Sequence, residues 1–240
     1  MIRLSLVLAL GGALAASRAD RFDRRERVEQ QVEALVAAGR HPNLRWPDFT
    51  DVQADLDRIY SGRDWQPLWF PDDTLSSAGR ALIKVLGEAD NRGLTPADYD
   101  VAWFQAEAGR PIPSGDSTLI ARLDVGLSVA AARFALALRL GRINPVVVHA
   151  AFKLPMDSFT VDSTILHLAA TPRPNEVLSA LEPGLLHYYL LIGALLRYRR
   201  LAQDSGLVAL PPMPRRLHPG ESYVGLPTLR RLLRLLGDDR

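Results

Sequence analysis

Of the side chains that form acyl intermediates, the most reactive is missing altogether: the 240 residues contain no cysteine. A thiolate mechanism is therefore excluded for this chain. Serine would need an activating base beside it, yet no Gly-x-Ser-x-Gly elbow occurs, and the five histidines, at 41, 149, 167, 187 and 218, carry no recognisable partner pattern. No two of them have the x3 spacing that sets two ligands on one helix face, and no glycine-rich phosphate loop is present. The sequence accordingly offers no catalytic, no cofactor-binding and no metal-ligating residue. Paired carboxylates occur at Asp72-Asp73 and at Asp238-Asp239, both in turn-like or terminal positions where solvated side chains are the plain reading. Arginines 197, 199, 200, 215 and 216 could meet anionic glycan or lipid headgroups, although an arginine-rich helix edge is more often soluble surface. Trp65 and Trp69 could stack on sugars, while burial is the commoner fate of rings so closely spaced.

Composition narrows the classes further. With 48% hydrophobic and 23% charged residues the chain can bury a core, and 29 Lys and Arg against 27 Asp and Glu leave a net charge of only +2, too balanced for a nucleic-acid partner. Residues 1–19 read as an export signal that is cleaved, with Arg3 as a positive n-region, Leu4 to Leu14 as an apolar h-region and Ala13-Leu14-Ala15 as a small-x-small site. The apolar run breaks at Arg18, short of the roughly 20 residues that span a bilayer, so no stable transmembrane span is expected after cleavage. Without cysteine there is neither a lipid-anchor acceptor nor a disulfide, and stability must come from packing.

The elements expected along the chain are helices. Residues 20–47 form a solvated lead-in helix and loop, with Val28, Val32, Leu35 and Val36 near helical spacing and Gly39 as its stop. A short amphipathic helix over 51–60 turns Val52, Leu56 and Ile59 or Tyr60 to one side and delivers the chain to Trp65. Pro67 removes a backbone donor and pushes Gln66 toward extended backbone, so Trp65 to Phe70 is irregular. Ser76 or Ser77 caps a helix with Leu82, Val85, Leu86 and Ala89 inward and Gly93 as its stop, and Thr95-Pro96 starts another. The longest periodic segment, Ser117 to Leu140, steps through Ile120, Leu123, Leu127, Ala130, Phe134 and Leu138, with Asp124 and Arg133 as charged edges and Gly141 as its end. Asp162 or Ser163 and then Asn175 cap two short helices, and Leu185 to Leu201 places Tyr188, Leu191, Ile192, Leu195 and Tyr198 for burial. Residues 209–216 form a Pro-rich linker, and a final helix sets Leu226, Leu229, Leu232, Leu233 and Leu236 opposite Arg230, Arg231 and Arg234. The fold class is all-α.

The block Arg63-Asp-Trp-Gln-Pro-Leu-Trp-Phe70 resembles the opening of the scaffold domain of large bacterial L,D-transpeptidases, which cross-link peptidoglycan through an acylated cysteine. The resemblance continues, in the family's order, through Gly93-Leu-Thr-Pro-Ala-Asp-Tyr99, Asp124 to Arg133, Leu140-Gly-Arg-Ile-Asn-Pro145, Leu181-Glu-Pro183 with Tyr188 or Tyr189, and Leu196-Arg-Tyr-Arg199. It implies a scaffold domain over 48–208. The stretch Leu217-His-Pro-Gly-Glu221 with Leu226, Leu229 and Leu233 to Asp238 is similar to the first helix of the peptidoglycan-binding module that follows in the family, implying a partial module over 217–240. Family members continue into a catalytic domain with a His and a Ser-x-Gly-Cys motif, and no residue here corresponds to either.

What the resemblance implies is a periplasmic, non-catalytic scaffold portion of an L,D-transpeptidase of the Gram-negative type of envelope, a gene fragment or a truncated relative, inactive alone. Its expected partners are peptidoglycan or the catalytic domain of such an enzyme. A stand-alone murein-binding or enzyme-adaptor protein is the alternative, and an unrelated helical protein with an uncleaved anchor the third.

Overall fold

The computed structural model describes residues 22–238 apart from 109, 111, 113–115, 143–158, 205, 207, 214, 215, 217 and 219. The expected export signal at 1–19, His149, Asn144-Pro145, Arg215, Leu217 and Asp239 lie outside the described residues. Among those described, the structure is all-α: nine α-helices joined by loops and 3-10 turns, with a single antiparallel bridge between Arg40 and Asp48 in place of any sheet. The chain divides into two compact units, one ending at Pro183 and the other starting at Gly184.

In the first unit, α1 (residues 22–38) sends Val28, Val32 and Val36 into the common hydrophobic core, each at most 1% exposed. The heptad-like spacing read as a solvated lead-in thus marks a packed face. Gly39, at φ 59°, turns the chain out of α1, and the Gln53 side chain donates to the carbonyls of Val36 and Ala37, satisfying two acceptors that the helix end leaves open. Helix α2 (Gln53–Ser61) buries Leu56, Ile59 and Tyr60. Ser76 caps α3 (Ser77–Gly87), its hydroxyl accepting from the Gly79 amide at 3.0 Å, and Leu82, Val85 and Leu86 turn inward as their spacing predicts. Gly93 does not stop α3 but closes a separate 3-10 turn, Ala89–Arg92, with φ 73°. A second 3-10 turn, Pro96–Tyr99, leads into α4 (Val101–Ala108), so the helix expected to start at Pro96 is broken by the left-handed Asp100.

Helix α5 (Ser117–Leu140) is the axis of this unit, 24 residues and so roughly 36 Å long. Ile120, Leu123, Leu127, Ala130, Phe134 and Leu138 are all buried, and so are most residues between them, because other elements cover several sides of it. Helices α6 (Val161–Ala170) and α7 (Pro174–Ser179) complete the unit, α6 packing on α5, α2 and α3, and α7 on α3 and α6. Their starts differ from expectation: Thr160, in extended backbone, accepts from Ser163 as the α6 cap, and Pro174 at the first position opens α7 after Arg173. In both cases a residue upstream of the expected cap already had the required backbone.

The second unit holds α8 (Leu186–Ala202) and α9 (Leu226–Leu236). None of α8 is buried: Leu191 and Tyr198 are exposed, and Tyr188, Ile192 and Leu195 only half-buried, against the expectation of burial. A helix apolar on most sides needs several partners to cover it, and this unit contains one other helix among the described residues. The Tyr223 hydroxyl donates to the Pro211 carbonyl at 2.6 Å, tying the Pro-rich segment to the turn before α9. No helix among the described residues is long and apolar enough to cross a membrane.

Candidate functional site

The chemistry-bearing residues of the sequence converge in two places, one buried and one open. The buried one is built on α5, which presents Asp124 and Ser128 one turn apart toward the loop after α2. That loop has no strand partner for its amides, and an unpaired buried amide is costly. Asp124 supplies the acceptors: Oδ1 takes the Leu68 amide at 2.9 Å and the Tyr60 hydroxyl at 2.6 Å, while Oδ2 takes the amides of Trp69 at 2.6 Å and Phe70 at 3.2 Å. The Trp69 indole Nε1 donates to Ser128 Oγ at 2.9 Å, and since the Tyr60 proton is given to Asp124, the Ser128 hydroxyl donates to Tyr60 across 2.8 Å. Tyr60, Trp69, Asp124 and Ser128 are each 0% exposed.

Asp124 is therefore no charged edge of α5, as the sequence suggested, but the most enclosed carboxyl of the site. Burial pushes its pKa up, and the Tyr60 hydroxyl and three amides oppose that shift by favouring the carboxylate. Burial likewise raises the Tyr60 hydroxyl well above its ordinary range. With its polar atoms paired to one another and to the loop's amides, the cluster fixes that loop against α5. Trp69, once a candidate for sugar stacking, is a core ring, and Trp65 is half-buried against the same core.

His41 belongs to a second buried contact that the histidine spacing gave no sign of. Its Nε2 donates to the Arg122 carbonyl at 2.9 Å, Nδ1 accepts the Asn43 amide at 3.3 Å, and its ring meets Trp103 edge-on at 5.5 Å. Gly126 of α5 makes room for this, since a Cβ there would stand 3.0 Å from Trp103 and 3.4 Å from His41. Desolvation lowers the His41 pKa to about 4, so the ring is neutral. His167 lies on α6, while His187 and His218 belong to the second unit. Among the described residues no group of three or more His, Asp or Glu side chains could hold a metal ion.

The open site is bordered by the same loop. A cleft of about 700 Å³ runs between the start of α1 and the segment 63–73. Phe22, Val28, Pro67, Phe70 and Pro71 give it apolar walls, and Arg24, Arg25, Arg63 and Asp73 give it charge. Arg24 reaches Asp73 at 3.0 Å and Arg25 reaches Glu29 at 2.9 Å. Arg63 forms no ion pair among the described residues, and its Nε is buried without an acceptor. The backbone here is strained: Asp64, Trp65 and Asp73 have φ of 52°, 61° and 60°, the left-handed region that side-chain-bearing residues seldom occupy. Clusters of arginines at 197, 199 and 200 lie on α8 instead, in the second unit.

A family model described as the Scaffold domain matches residues 54–195, which takes in the Asp124 cluster and its loop. No curated protein matches the chain, and no solved structure does.

Proposed function

Because the chain belongs to the Scaffold domain family, we propose that it is the non-catalytic scaffold portion of a periplasmic L,D-transpeptidase, acting in peptidoglycan cross-linking and cell-wall biogenesis. The observation that carries this reading is the Trp-Gln-Pro-Leu-Trp-Phe block, part of the ordered set that resembles the transpeptidase scaffold: the amides of its last three residues are gathered by Asp124. A segment whose backbone amides donate three hydrogen bonds to one carboxylate is a rigid support, suited to keeping other parts at a fixed separation. The reactive sulfur that the family reaction needs is not among these 240 residues, so this chain positions and another polypeptide segment acylates.

In this reading residues 1–19 direct export and are removed, residues 48–208 are the scaffold, and residues 217–240 begin a peptidoglycan-binding module. The purified chain incubated with stem peptides is expected to form no cross-linked product, and to bind a separately expressed L,D-transpeptidase catalytic domain in size-exclusion chromatography. Cross-links formed by the chain alone, or no association with any such domain, would reject the proposal. The missing thiol also favours a stand-alone murein-binding adaptor, which must sediment with purified sacculi whereas a bare scaffold need not.

A further inference from the structure

The cleft beside the Trp-rich loop contains a mismatch of charge that nothing in the fold resolves. Of its three guanidinium groups, Arg24 is held by Asp73 and Arg25 by Glu29, while Arg63 has no anionic partner among the described residues. Its Nε is buried, which leaves the Nη groups as the part of the guanidinium that can meet the cleft. The two Nη groups at the end of a guanidinium can meet a carboxylate with a pair of hydrogen bonds. Asp64 and Trp65, immediately after Arg63, have left-handed backbone. The walls are not polar enough for a bare inorganic ion, since Phe22, Phe70 and Pro67 line the same space.

We propose that this cleft binds the carboxylate of a small organic or peptide acid, with Arg63 as receptor of the carboxylate and the Phe22 and Pro67 rings against the acid's apolar body. At about 700 Å³ the cleft falls within the range of small-molecule sites. Binding here neither requires nor excludes a part in cross-linking, because only residues 22–73 are used.

The test is calorimetric titration of the full chain with N-acetyl-phenylalanine, with its carboxamide, and with inorganic phosphate. The acid should bind about tenfold more tightly than the amide, and Arg63→Gln should remove about that factor for the acid alone. Phosphate, which has no apolar body, should bind more weakly than the acid, and Arg25→Gln should matter less than Arg63→Gln. Equal binding of acid and amide, no binding of the acid, phosphate matching the acid, or an Arg63→Gln protein with unchanged affinity would each overturn the proposal. Should Arg63→Gln fail to fold by circular dichroism, the wild-type protein decides: the Arg63 guanidinium N–H resonances must shift on adding the acid and stay in place on adding the amide.

Discussion

Asp124 illustrates how one side chain can replace a missing element of secondary structure. Its carboxylate collects the amides of Leu68, Trp69 and Phe70, which in a strand would pair with a neighbour. Asp124→Asn keeps the volume but turns one acceptor into a donor that faces N–H groups, and should destabilise the protein by roughly 3 kcal/mol, the cost of leaving buried polar groups unmatched. Urea unfolding measures it, and a loss under about 1 kcal/mol would show the cluster to be incidental. His41 gives a pH signature of opposite chemistry. Its ring ionises near 6.5 when unfolded and at about 4 when folded, so the unfolded chain takes up the proton first. Stability should be level above pH 6.5, fall as pH drops from there to about 4 by up to roughly 3 kcal/mol, and level off below. His41→Phe should flatten that part of the curve, and an unaltered slope would remove His41 as the cause. Neither residue was legible as a site, because spacing along a helix says nothing about which loop will arrive against it.

At the scale of elements, helical periodicity reports which face is apolar and leaves open what covers it. In α5 and α8 the same three and four residue steps led to opposite ends: Leu127 is 1% exposed, whereas Leu191 is 69% exposed. Leu127→Ala should therefore cost about 2 to 5 kcal/mol and Leu191→Ala less than about 0.5 kcal/mol, a contrast that thermal unfolding of the two variants resolves. Capping was readable where the capping residue's own chemistry decides it. Ser76 caps α3 as its type suggests, and Ser76→Ala should lower stability by about 1 kcal/mol in the same measurement. For α6 and α7 several polar residues competed, and the backbone of Thr160 and the fixed φ of Pro174 chose the start.

On the scale of the whole molecule, the chain pairs a well-covered helical unit with a second one whose helices contain no buried residue. Amide hydrogen exchange should follow that division, with the α5 amides protected far longer than those of α8 and α9, and equal protection would contradict it. Alternation of apolar and polar residues at helical spacing was enough to determine an all-α chain, the axis along Ser117 to Leu140, and the irregular course through Pro67, because these depend on local backbone preferences and on Pro's missing donor. Composition alone determined that these 240 residues supply no thiolate. Tertiary structure decided the rest: that Asp124 turns inward, that α1 joins the core, and that Arg63 borders a cleft without a counter-charge. Each of these is a meeting of segments tens of residues apart, and the free energy of burying a charge or an apolar face is set by that meeting and not by the neighbours in sequence.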